Sequence, residues 1–234
     1  MTTLRLEPFI PPAATDEPPG FLTALTTEHF TLQTARAVTV NESNGRTALY
    51  LGSLSSTLVA LALVAQRSSA VFAVFALTVL PAVLFLGLVT YVRVLQSLIE
   101  DLVYARAINR IRHYYTGIDP ARAHWFVLSG RDDVRGALAN MCLRDSPAQL
   151  LFTLPTAVAV INALLAGVVG ALALAVAAPP VAAALAGAGL GATALGLQLA
   201  WQTRRFARMK AAVRAQFPSP DAGPEACGWT PAAN

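Results

Sequence analysis

The chain has 234 residues, enough for one or two ordinary domains, but it is 55% hydrophobic and only 13% charged, with a mean hydropathy of +0.54. A soluble domain carries about a quarter charged residues, so the composition excludes an ordinary soluble globule and points to lipid. The formal charge of +4 rests on arginine, with Lys210 the single lysine, a ratio that fits a GC-rich genome and says nothing of mechanism.

Residues 1–25 hold Pro8, Pro11, Pro12, Pro18 and Pro19 with few large apolar side chains, the composition of a disordered tail. No cleavable signal peptide is expected, because the first long apolar stretch starts only at Thr47. Thr26 offers an N-cap and Glu28 a first-turn acid for a helix over 26–46, with Gly45 a candidate break. Residues 47–66 are then apolar for twenty positions, about 30 Å as helix and a match to the hydrocarbon core. Arg67–Ser69 is a tight turn. The chain returns over 70–92, with Pro81 a candidate kink.

Beyond the second span, Leu95, Leu98, Leu102, Ala105, Ile108 and Ile111 step every three or four residues, a helical stripe that continues the span into solvent. Gly117 ends it and Asp119-Pro120 starts again. Trp125 and Phe126 are placed to lie against bilayer or neighbouring helices, and Ser129-Gly-Arg-Asp132 resembles a capping box opening a helix over 131–143. The whole segment 93–145 reads as helical and extramembranous. Residues 146–203 then contain no Asp, Glu, Lys or Arg. They form a second hairpin, opened by Ser146 and Pro147 and turned at Pro179-Pro180, where neither residue can donate to a continuing helix. A basic segment and a second tail occupy 204–234. The expected fold is therefore all-α and polytopic, with four transmembrane helices in two hairpins, 47–92 and 146–203, and helical extensions on one side.

Lysine and arginine fix the expected orientation. The segments before the first span, between the hairpins and after the fourth span hold 3, 8 and 5 of them, against 1 and 0 in the two turns, a bias that puts both termini and the central segment in the cytoplasm and the protein in the plasma membrane. Tyr50, Tyr91 and Trp201 fall at the corresponding span ends, where amphipathic rings prefer to sit. Cys142 and Cys227 stand alone in segments assigned to the cytoplasm, so neither a disulfide framework nor a cysteine metal site is expected.

Chemistry-bearing residues are few. Gly187-Ala-Gly-Leu-Gly-Ala192 fits a dinucleotide fingerprint but has no strand before it, and close helix packing through Gly187 and Gly191 explains it better. Asn162 sits near the centre of the third span, and Ser55 and Ser56 lie in the first. These are the candidate intramembrane polar contacts, against the plainer role of bonds between or along helices. Arg106, Arg110 and Arg112, beside His113, Tyr114 and Tyr115, form the candidate ligand or headgroup cluster. Asp132-Asp133 reads as first-turn acids rather than a metal pair, since neighbours on a helix diverge by about 100°. His113 and His124 have no accompanying ligand spacing. No span contains His, Asp or Glu, so a hydroxyl nucleophile there lacks a base and ion coupling lacks a titrating group. No cofactor, metal, enzymatic activity or nucleic-acid partner is expected.

Two stretches, Asn44-Gly-Arg-Thr-Ala-Leu-Tyr-Leu-Gly-Ser-Leu-Ser-Ser56 and Tyr104-Ala-Arg-Ala-Ile-Asn-Arg-Ile-Arg-His-Tyr-Tyr115, resemble a group of uncharacterised bacterial four-span integral membrane proteins over about residues 28–175. The resemblance implies no activity. The architecture is loosely similar to two-span bacterial defence effectors that oligomerise and breach the membrane, from which this chain departs by its second hairpin. The expectation is a non-enzymatic protein in contact with membrane lipids, assembling with itself or with a membrane or cytoplasmic protein through its extramembranous helices. The alternatives are a pore-forming or channel-like effector and, less well supported, a small-molecule transporter.

Overall fold

The computed structural model describes residues 20–220; the expected tails over 1–19 and 221–234 lie outside the described residues. The described chain is all-helical: α1 Phe21–Val64, α2 Ser69–Ile118, a 3-10 turn Pro120–Trp125, α3 Val134–Ala139, α4 Pro147–Leu151, α5 Leu154–Leu174 and α6 Pro180–Ala212. Among the described residues, α1, α2, α5 and α6 are each long and apolar enough to cross a membrane, so the protein is a multi-pass, four-span helical membrane protein.

Several boundaries differ from the sequence reading. Helix α1 starts at Phe21 rather than at Thr26 and runs through Gly45 without a break; a mid-helix glycine costs only about 1 kcal/mol, and Cβ space at Gly45 is open. The first turn is closed by Ser68, whose Oγ accepts from Val71 N at 3.3 Å, a cap for α2. Pro81 lies inside α2 without ending it. The third span does not run unbroken from Ser146. Ser146 Oγ caps α4 through Gln149 N at 3.2 Å, but the helix stops after Leu151, and α5 restarts with Pro155 in its first turn. Proline has no N–H to return to the preceding turn, so the restart there is dictated by its chemistry.

The chain divides into two compact units: one of Arg36–Asp101 and Asp145–Arg214, the other, within the described residues, of 20–35, 102–144 and 215–220. In the first, membrane-spanning unit, α5 and α6 pack backbone to backbone. A Cβ at Gly187 would lie 2.5 Å from Gly167 O, and one at Gly191 2.8 Å from Ala163 O, so the G-x-x-x-G pair is a helix-packing face, as its context indicated. Leu61, Ala76 and Leu80 form a core flanked by Phe72, Phe75, Val169 and Leu172, which ties the first three spans near their turns. At the basic end, Arg36 grips Asp101 with two parallel bonds of 2.8 and 3.0 Å, and Glu42 takes Arg46 at 2.8 Å and Arg93 at 3.4 Å.

In the second unit the apolar stripe of α2 faces inward: Leu102, Ala105, Ile108 and Ile111 are buried, with Val134 and Ala137 of α3. Helix α3 is capped by Asp133, whose Oδ1 accepts from Gly136 N at 2.9 Å; the expected capping box at Ser129 is therefore not the start. Its end is a Schellman closure, with Leu143 N donating to Leu138 O and Cys142 N to Ala139 O around the positive φ of Cys142, 56°. Cys142 is disulfide-bonded. This corrects the expectation of unpaired cysteines, since sequence position carries no information on which turns meet in space. Cys227 lies outside the described residues.

Candidate functional site

Two polar constructions stand out, one in each unit. The first lies inside the spans. Tyr50 of α1 and Asn162 of α5 are both fully buried, and Tyr50 Oη donates to Asn162 Oδ1 at 2.9 Å. Asn162 Nδ2 donates to Gln198 Oε1 of α6 at 3.3 Å, and Gln198 Nε2 bonds Ala194 O at 3.2 Å within its own helix. Tyr91 of α2 donates its hydroxyl to Gln198 O. The fourth wall is Gly87 of α2, where a Cβ would fall 2.0 Å from Asn162 Oδ1 and 2.8 Å from the Tyr50 ring and hydroxyl. Glycine is required there because the polar pair occupies the space a side chain would take. One turn along α6, Gln202 is 1% exposed and reaches the α4–α5 break. Its Nε2 lies 3.1 Å from Thr156 Oγ1, 3.2 Å from Leu150 O and 3.4 Å from Thr153 Oγ1. Leu150 O also accepts Thr153 Oγ1 at 2.8 Å and Thr156 Oγ1 at 2.7 Å. The carbonyl freed by the break is thus satisfied by side chains.

Asn162 therefore meets partners on other helices, while Ser55 and Ser56 do not join it: both are exposed on α1, and Thr57 is the buried residue of that turn. Tyr50 and Tyr91, assigned to the membrane–water interface from sequence, are interior hydrogen-bond donors instead. A phenol near a span end can satisfy its hydroxyl with headgroups or with a buried carbonyl, and here the carbonyls win. Sequence reasoning missed Gln198 and Gln202, although their spacing of four puts two amides on one helix face inside an apolar run, which was the available signal.

The second construction holds the arginine cluster. Asp132 is 1% exposed and its carboxylate accepts from Gln216 N at 3.0 Å, Phe217 N at 2.7 Å and Arg110 Nε at 2.8 Å, with Arg110 NH2 at 2.7 Å. Burial works against the ionised form, but these donors outweigh it and hold the carboxyl below its ordinary value. Arg106, itself buried, donates from Nε to Asp132 O at 2.7 Å. Arg112 donates to Asn109 Oδ1 at 2.8 Å and Ser129 O at 3.1 Å. Asn109 Nδ2 bonds Arg131 O at 2.8 Å, and Asn140 closes the lattice by donating to Asn109 Oδ1 and accepting Ser129 N. The three candidate arginines are brought together, and each donates to a carbonyl or carboxylate of the connector 129–133. Arg110 also borders a cavity of about 280 Å³ walled by Phe21, Leu25, Ile111, Tyr114 and Phe217. His113 stacks on Phe217 with ring centres 3.8 Å apart; burial, then Arg131, lowers its pKa, with Asp132 opposing.

Just before Ser129 of this lattice, four consecutive large apolar side chains are exposed. Trp125 is 74% exposed, Phe126 42%, Val127 65% and Leu128 46%. Arg122 beside them is also exposed, at 79% of its side chain. Asp119 Oδ1 starts their turn by accepting Ala121 N and Arg122 N, and Phe126 stacks on Tyr115. Among the described residues, no three His, Cys, Asp or Glu side chains converge on a metal position. No protein-family model, curated protein or solved structure matches the chain.

Proposed function

We propose that the chain is a non-enzymatic membrane protein that binds a protein partner through the connector between its second and third spans. The observation that carries this is the run Trp125–Leu128: four consecutive large apolar side chains are exposed on a segment whose flanks are held by the Asp119 cap and the Asn109–Asn140–Ser129 lattice. Exposed apolar patches with an aromatic anchor and an adjacent arginine mark protein contact surfaces. The surface differs from the one the sequence stripe pointed to, because Leu102, Ala105, Ile108 and Ile111 are buried within the chain and are not available to a second molecule.

The basic connectors favour a cytoplasmic location for this surface in a plasma membrane, whereas the bridged Cys142 is more typical of an oxidising compartment. A photo-crosslinking residue at Val127 in native membranes tests the reading. It should give a discrete protein adduct that Trp125→Ala abolishes, and two differently tagged versions of the chain show whether the partner is a second copy. Adducts with lipid alone, or none, would refute it. A second reading, a conducting or channel-like protein, is supported by the buried row Tyr50–Asn162–Gln198, and conductance in planar bilayers tests it.

A further inference from the structure

The α4–α5 break bears on the polar row of the spans. Helix α4 is only five residues long, and neither Gln149, Leu150 nor Leu151 is buried. Phe152 immediately after it is 84% exposed and Leu151 53%. With so little apolar burial, α4 belongs to the low-stability end of a structure, where local opening is cheapest. What holds it is polar: Thr153 and Thr156 donate to Leu150 O at 2.8 and 2.7 Å, and α6 grips it at both ends. Lys210 Nζ grips Asp145, one residue ahead of the Ser146 cap, at 2.7 and 2.9 Å. Gln202, two turns earlier on α6, bonds Leu150 O at the far end at 3.2 Å. Beyond that clasp, Thr156 and Gln202 are buried, and Gln198, Asn162 and Tyr50 follow.

We propose that α4 is a gate over the basic-end mouth of this buried polar row, latched by Gln202 on Leu150 and by Lys210 on Asp145, and that release of the latch admits water to the row. The groups at the clasp, Leu150 O, Thr153, Thr156 and Gln202, are neutral oxygens and amides, which suit water or a small uncharged polar solute. The four Gln202 contacts span 3.1–3.4 Å, and hydrogen bonds between helices in lipid are individually weak, so the latch can open without unfolding the spans.

The test uses the full chain in lipid nanodiscs, with both native cysteines replaced by serine and a reporter thiol at Ala159, which is fully buried one turn inside the break. A second reporter at Ala76, fully buried in the separate apolar core, detects general loosening. The probe is a water-soluble, charged methanethiosulfonate. Gln202→Leu should speed modification of Ala159→Cys roughly tenfold and leave Ala76→Cys unchanged. Lys210→Gln, which leaves the buried cluster untouched, should speed it about two- to threefold, the size of an exposed ion pair. Equal rates at Ala159→Cys with and without Gln202, or acceleration of both reporters together, would overturn the gate.

Discussion

Replacing Asp132 by asparagine separates a structural use of the arginine cluster from a ligand-binding one. The side chain is 1% exposed and accepts from two backbone N–H groups and the Arg110 guanidinium. Asparagine keeps the shape but removes the charge and turns one acceptor into an NH2 facing donors. Each charge-assisted bond contributes about 1.5–3 kcal/mol, and breaking a buried pair costs about 3–5 kcal/mol. Arg110 is 46% exposed and regains water when released, so the lower part of that range applies, about 3 kcal/mol. Hydrogen exchange over 129–144 and 215–220 should then quicken by about two orders of magnitude, at roughly 1.4 kcal/mol per tenfold. The neighbouring Asp133→Ala removes one cap and the Ser219 bond and should cost about 1 kcal/mol, near fivefold. If Asp132→Asn changes exchange less than tenfold, or less than Asp133→Ala, the arginines are not committed to the connector as described.

Gly87→Ala should lower the detergent-solubilised thermal transition by the equivalent of about 1–3 kcal/mol, since its Cβ meets Asn162 Oδ1 and the Tyr50 ring and hydroxyl, both held in place by their own bond; an unchanged transition would show that the polar pair yields. The pKa of His113 is lowered from 6.5, so as pH falls through that value the unfolded chain takes the proton first and stability is lost; above it the contribution is fully present. Exchange protection of the 102–144 unit should therefore weaken on acidification from pH 7.5 to 5.5, and His113→Gln should flatten that dependence.

The four spans were legible from sequence because long uncharged runs are set by the solvent they must enter, and the prolines Pro147 and Pro179-Pro180 act locally through a missing N–H. Asn162 was legible as a buried amide wanting partners, but Tyr50 and Gln198 as those partners were not, because residues 112 and 36 positions away share no local pattern with it. The stripe Leu95–Ile111 was read correctly as helical, but periodicity shows that a face is apolar, not what covers it, and here Leu102, Ala105, Ile108 and Ile111 are covered within the chain. The arginines pose the same problem: a cluster of guanidinium groups beside aromatics reads as a phosphate cradle, and nothing local in the sequence shows that Asp132 and the connector carbonyls lie within hydrogen-bond distance. Asp132 and Asp133, adjacent and alike on paper, turn out to do different work, one buried in an ion pair and one capping α3.

The basic connector and the Arg67–Ser68 turn are expected on opposite sides of the membrane. Single tags placed in the turn and at 121–124, probed in intact cells with an impermeant reagent, test this directly. The turn should react at once and the connector only after lysis. A connector that reacts in intact cells, or a turn that does not, would contradict the assignment of the Trp125–Leu128 surface to a cytoplasmic partner.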